Sequence, residues 1–423
     1  MNSFQRYIIL LSISLLPVYS FGQFSENSFY TYYSNDDWID ANKNNMVTLS
    51  STYFASPYSA PAYLNTFILL HYNQDNLRQE ISGQLKSENY FGINLSNTLR
   101  IWPALNFELA GKNFGLGVTV RNVYDQRIYF TDDFFRLMYD GNVPFAGKTA
   151  RIAPLDFRTL SYQEAGLNLV SRSTTRFNFG LGLSYILGNR FYEFNATRGT
   201  LFTSEDGDSL HADINLHYKS SDHAKKNFGT VNGSGAGFSA FAKYDINKKS
   251  SLYLALDDLG FISWNNKSVN FSLDTSTSYT GFDIFSKSGV KEDPKLFIDT
   301  FFNITKSPAT SSYMMWLKPR VTLIYSLNTD ARGGKLIVDV TYRFDQYSFP
   351  GIYLQYRYKP FNNLYFRGGI SYDEFRKAGG NLELGVRLFK KLVFSLGSYH
   401  IEQFFASMNG QSLYFDLTGV FGK

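Results

Sequence analysis

Eight ionisable side chains in the C-terminal third could carry chemistry because of the face that alternation gives them. In Lys335 to Phe344 one face is Leu336, Val338, Val340, Tyr342 and Phe344, and the other is Lys335, Ile337, Asp339, Thr341 and Arg343. The same period of two places Arg357, Arg367, Glu383, Arg387 and Asp416 on polar strand faces. If those faces line a lumen, the groups have two uses. They can steer anionic solutes, because basic residues outnumber acidic ones among them. They can also neutralise one another, because charges buried together tend to pair. A structural network of ion pairs is the favoured reading.

Other chemistry finds little support. His211, Asp213, Asn215 and His217 share one face of a strand-like run, a geometry that a metal site could use. No third strong ligand accompanies the two histidines, so a polar lumen face is the better expectation. Gly233-Ser234-Gly235-Ala236-Gly237 precedes strand-like residues, whereas a dinucleotide-binding turn must open a helix. The chain has no Cys, which excludes disulfides, thiolate ligands and a Cys nucleophile. No Ser/His/Asp set stands out. The expectation is a non-enzymatic protein with no cofactor and no metal.

The elements that must position these residues are strands. The 423 residues include 40 Phe, 31 Tyr and 4 Trp, while charged residues are only 18%. Mean hydropathy is −0.23, and beyond the first 22 residues no run approaches the ~20 apolar residues of a membrane helix. That combination excludes a polytopic helical protein and argues against disorder. It fits a transmembrane β-barrel, whose strands alternate between lipid and lumen. Leu364 to Tyr372, Leu382 to Phe389 and Leu413 to Phe421 repeat the alternation. Basic residues are scattered, so no nucleic-acid footprint is expected.

Residues 1–22 read as a signal peptide, with Arg6 before an apolar run and Ser20-Phe21-Gly22 as cleavage site. Residues 23–60 alternate poorly and could form a plug; residues 61–423 would be the barrel. Short turns at 246–250, 360–363 and 390–391 fall on one side of the wall, the periplasmic side if the last strand ends there. The long connections at 122–159, 219–235 and 287–312 fall on the other, as such barrels require. About 16 strands are expected, within a range of 14–20. Thr131, Asp132, Asp133 and Gly141 bracket a short helix in one outer loop. Pro294 to Asn303 could form a second. Glycines alternate with apolar residues in Phe114 to Val118 and in Phe179 to Leu183, leaving space on the lumen face or bending the wall.

Two stretches carry a family resemblance. Leu137-Met138-Tyr139-Asp140-Gly141-Asn142-Val143-Pro144-Phe145-Ala146-Gly147 is followed by Leu160-Ser161-Tyr162-Gln163-Glu164-Ala165-Gly166-Leu167. Later comes Asp257-Asp258-Leu259-Gly260-Phe261-Ile262-Ser263-Trp264-Asn265. Together they resemble an uncharacterised family of outer-membrane barrels from Bacteroidota, itself distantly similar to the long-chain fatty acid transporter and type IX secretion shuttle barrels. The resemblance spans about residues 24–423. It implies an outer-membrane location with an unassigned activity. Ser59-Ala60-Pro61-Ala62 departs from the Asn-Pro-Ala segment near the start of the fatty acid transporters.

Two functions follow as expectations. One is a passive channel or transporter for small or hydrophobic solutes. The other is an impermeable scaffold barrel docked on an outer-membrane secretion or assembly complex. The partners would be outer-membrane lipid and, for the scaffold, other outer-membrane proteins.

Overall fold

A computed structural model describes residues 45–57, 85–172, 176–222, 230–280, 310–329, 333–346, 348–373, 378–389, 391–404 and 411–421. Its strands are β1 (Asn45–Pro57), β2 (Glu88–Leu109), β3 (Lys112–Thr131), β4 (Lys148–Arg151), β5 (Leu155–Ser171) and β6 (Phe177–Thr203). Then come β7 (Ser209–Ser220), β8 (Gly233–Asp245), β9 (Ser250–Trp264), β10 (Val269–Thr280), β11 (Tyr313–Trp316) and β12 (Arg320–Asn328). The series ends with β13 (Lys335–Arg343), β14 (Gly351–Phe361), β15 (Leu364–Tyr372), β16 (Ala378–Leu388), β17 (Leu392–Ser398) and β18 (Gln411–Phe421).

Fourteen of these strands close an antiparallel ring: β1, β2, β3, β5, β6, β8, β9, β12 and β13 to β18, with β18 returning to β1. Asn45 lies opposite Phe421 at the seam, and the Thr48 and Thr418 hydroxyls meet at 3.0 Å. Fourteen lies at the low end of the expected range. The reason is that β4, β7, β10 and β11 pair outside the ring. β4 and β7 flank the far half of β6, β10 extends β7, and β11 continues the track of β12 along β9. Residues 45–57, inside the segment expected to plug the lumen, are wall strand β1; the rest of 23–60 lies outside the described residues.

Alternation positions the side chains. In β14, Tyr353, Gln355 and Arg357 are buried while Ile352, Leu354, Tyr356 and Tyr358 are exposed. Phe366, Ile370, Leu382, Leu384, Phe394, Leu396, Leu252, Leu254, Leu181 and Leu183 add to the same exposed apolar surface around the ring. In water such a belt would forfeit roughly 25 cal/mol for each Å² left uncovered. Short turns gather at one end of the wall: Ala110-Gly111, both at positive φ, and the β8–β9, β14–β15 and β16–β17 connections. The β3–β5 connection stands at the other, long-loop end. The short turns expected at 246–250 and 360–363 are present, whereas the stretch 122–159 expected as a loop is largely strand and helix, and residues 223–229 and 287–309 of the other two expected long connections lie outside the described residues.

Inside the short-turn end lies a connected, buried apolar layer drawn from ten strands, including Met46, Trp102, Phe241, Tyr253, Ile337 and Tyr365. The alternating glycines explain how these rings fit. Trp102 lies flat against Gly117, Phe241 against Gly180, and Tyr365 against Gly385, each where a Cβ would collide with the ring. Gly117 and Gly180 thus make space for an aromatic ring of the neighbouring strand, whereas Gly182 faces the Ser239 hydroxyl and the Asn168 side chain beside the cavity described below.

Above the belt, β2, β3, β5 and β6 run on past the ring. Ile93, Ile128, Phe130, Leu155, Ala196 and Leu216 form a core on their outer side, against helix α1 (Asp132–Asp140). Thr131 accepts a hydrogen bond from the Phe134 amide at 3.1 Å, and Gly141 ends the helix at φ 72°. The expected bounds of this helix agree with the structure, although its buried side is led by Phe135 and Leu137. Pro294 to Asn303 lies outside the described residues.

Candidate functional site

The candidate site is the charged lumen. Asp125, Arg127, Arg121 and Thr119 share the inner face of β3, and Arg158, Tyr162 and Glu164 share that of β5. Arg121 stands opposite Glu164 in register, with a 2.8 Å hydrogen bond from Nε to Oε2. It donates a further hydrogen bond at 3.0 Å to the Tyr162 hydroxyl. It also forms a short ion pair with Asp258, which comes from β9 on another part of the wall. Asp258 sits at φ 58°, in a bulge where β9 changes partner from β12 to β11. Its neighbour Asp257 faces Arg320 at 3.8 Å. The result is a strut across the lumen, held by a guanidinium that engages two carboxylates and a phenol.

A second network lies towards the long-loop end. Arg127 reaches Asp125 at 3.2 Å and Asp345 at 3.7 Å, while Arg158 reaches Asp345 at 2.8 Å and Asp125 at 3.5 Å. Two arginines and two carboxylates thus close a ring across β3, β5 and the segment after β13. Between the two networks and the apolar layer lies a cavity of about 320 Å³. Gly166, Gly182 and Gly237 help to keep it open.

The structure places the eight residues expected on the lumen face on β13 to β16 and β18. Lys335, Asp339 and Arg343 are buried along β13. Lys335, Arg357, Arg367 and Glu383 follow one another in register across β13 to β16. Arg367 pairs with Glu383 at 2.8 Å, and the Tyr414 hydroxyl donates to Glu383 at 2.6 Å, as does that of Tyr365 over a shorter contact. Arg357 lies over the Tyr365 ring at 5.8 Å. Asp339 accepts a hydrogen bond from Thr341 at 3.1 Å. Arg387 is half-buried on β16 and Asp416 half-buried on β18. Arg343 borders the cavity; the other seven lie beyond its lining.

His211, Asp213, Asn215 and His217 do share one face, on β7. His211 and His217 bond to Ser278 and Ser272 of β10 at 2.9 and 2.8 Å, and Asn215 to Asp274 at 2.9 Å. Arg198 joins Asp213 and Asp274 at 3.1 and 2.6 Å. The face is polar, as expected, but it is not a lumen face, because among the described residues β7 pairs only with β6 and β10, outside the ring.

Sequence reasoning missed Arg100, Arg121, Asp125, Arg158, Glu164 and Asp258. The alternation of Thr119, Arg121, Val123, Asp125 and Arg127 was the signal that could have found the β3 residues. The motifs quoted for the family resemblance meet here: Tyr162 and Glu164 from one and Asp258 from another all engage Arg121.

Residues 29–395 match a family of unknown function, DUF5723. The chain belongs to that family. Among curated proteins none matches this sequence. Solved structures with a similar course include a Pseudomonas aeruginosa FadL homologue, 10% identical over 91% of each chain, at a TM-score of 0.42. The Ralstonia pickettii toluene transporter TbuX is 11% identical over 90% of each chain, at 0.38. The Pseudomonas putida toluene transporter TodX is 10% identical over 95% of this chain and 93% of its own, at 0.38. Similarity at that level says nothing about what crosses the wall.

Proposed function

We propose that this member of the family is an outer-membrane barrel that admits small polar solutes into its lumen, with the apolar layer at the short-turn end as the gate. The observation that carries this reading is a polar cavity of about 320 Å³ standing directly above that layer. The exposed apolar belt supports a membrane setting, because strands of about ten residues suffice to cross a bilayer. The charged inner face favours polar over hydrophobic solutes, since an apolar molecule would have to displace water from ionised groups without replacing its hydrogen bonds.

Planar-bilayer conductance of the full-length protein tests the proposal. The wild type should pass little current, and Trp102→Ala with Phe241→Ala should raise it severalfold by thinning the layer. Retention of the heat-modifiable gel shift would establish that the variant folds, with Ile337→Ser as a milder alternative. Absence of current in wild type and both variants would refute the channel. The struts and the apolar layer favour a second reading, an impermeable scaffold for another outer-membrane protein. That reading expects no current from any variant and a partner retained on detergent extraction.

A further inference from the structure

Arg100 stands apart from every other cation around the cavity. Seven basic and five acidic side chains line it. Four of the acids are bonded to other cations, Glu164 and Asp258 to Arg121, Asp125 to Arg127 and Arg158, and Glu193 to Lys219, while Asp257 has Arg320 at 3.8 Å and an Oδ2 that accepts no hydrogen bond. Among the described residues Arg100, on the inner face of β2 and only 7% exposed, makes no hydrogen bond or ion pair; its Nε is sealed without a partner, and the carboxylates of Asp257 and Asp416 act on its charge only from beyond contact distance. A guanidinium carries five donors in a planar fork and stays charged under all ordinary conditions. Burying it unpaired is costly, so something that accepts hydrogen bonds and carries negative charge belongs there.

The surroundings say what kind of acceptor. Thr48 and Thr119 flank Arg100 in register on the adjacent strands, and Thr98 lies two residues along the same face. Thr98 and Thr119 border the cavity with it. A fork beside neutral hydroxyls matches an oxyanion, which the guanidinium engages through two parallel bonds. The cavity lies at the lower end of the range for small-molecule sites. We propose that Arg100 is the anchor of a binding site for a small solute bearing a carboxylate or phosphate, lodged in the lumen above the apolar layer. The proposal deepens the solute-uptake reading by giving the solute a charge and a point of attachment.

Calorimetric titration of the full-length protein in detergent with succinate and with inorganic phosphate tests it, at low ionic strength because the attraction is screened by salt. The wild type should bind at least one of the two, and Arg100→Gln should weaken that binding at least tenfold. Arg100→Lys should retain part of it, since a point charge persists while the fork is lost. Thr98→Val, which leaves the arginine in place, should weaken binding severalfold and serves if Arg100→Gln does not fold. A wild type that binds neither anion, or an Arg100→Gln protein that binds as tightly as wild type, overturns the proposal. If Arg100→Gln does not fold, equal binding by Thr98→Val and wild type overturns it. The comparison of succinate with phosphate distinguishes the two oxyanion sources. Binding that persists while no variant conducts would uphold the site and refute the channel.

Discussion

Asp258 combines two demands that act on one residue. Its backbone is left-handed, where a side chain other than glycine is uncommon, and its carboxylate is engaged by Arg121. Asn tolerates that backbone well, so Asp258→Asn isolates the charge. Breaking a buried ion pair by removing one partner costs roughly 3–5 kcal/mol. Arg121 keeps Glu164, so a loss of about 2 kcal/mol is expected, read as a lower urea midpoint of the heat-modifiable form. An unchanged midpoint would mean that the strut bears no stability. Which carboxylate meets Arg121 was not legible in the sequence, because Asp258 lies 137 residues away and arrives only when the ring closes. Glu164 was within reach of sequence reasoning, being the cross-strand partner in the adjacent strand. The glycines were legible as positions where a side chain is absent. The rings that fill them sit on other strands, and no local pattern names those.

Helix α1 is the element that the sequence specifies most completely. Its cap, acidic first turn and terminating glycine are all local features. Thr131→Ala should lower the stability of the outer extension by about 1 kcal/mol, the usual worth of such a cap. Faster hydrogen–deuterium exchange confined to residues 131–141 would register it, and equal exchange would contradict it. The C-terminal strands were legible because their outer face is apolar and their inner face polar. The stretch 122–159 read as a loop because β3 and β5 run beyond the belt, where both faces are mixed. A second element-scale feature lies where the loops after β15 and β17 meet. His400 bonds to Asp373 and Glu402 through its two ring nitrogens, both at 3.0 Å. Burial pulls the imidazole pKa down, but the two carboxylates outweigh it and hold it above the ordinary value. Glu402 is opposed by its own partial burial and still held below its ordinary 4.5 by the histidine. A raised histidine stabilises fully below its unfolded pKa of about 6.5 and ceases to as pH rises through its folded value. A lowered carboxylate stabilises above 4.5 and ceases to as pH falls through its folded value. The clamp should therefore be firmest between about pH 4.5 and 6.5. Exchange at residues 398–402, corrected for the intrinsic rate, should be slowest in that window. A His400→Gln protein with the same pH profile would exclude the clamp.

At the scale of the whole molecule, composition and alternation carried most of the fold: an antiparallel barrel with short turns at one end. Strand number was less legible, because strands that leave the ring alternate much like strands within it. β6, at 27 residues, is far longer than any bilayer crossing requires, and its far half pairs with β4 and β7. The belt, the charged interior and the apolar layer form a series along one axis. The two tests above probe it at different depths, one at the layer and one at Arg100. The seam adds a kinetic consequence. Thr48 and Thr418, which meet across it, are 370 residues apart in the chain. Pairing between such distant segments is intrinsically slow, because the entropy of closing the intervening loop is lost before any contact is gained. Until it happens, β1 and β18 each present an unpaired edge that another copy could join. The first and last wall strands are thus where this polypeptide is most open to misassembly, and the speed at which they find each other governs how much of it reaches the closed form.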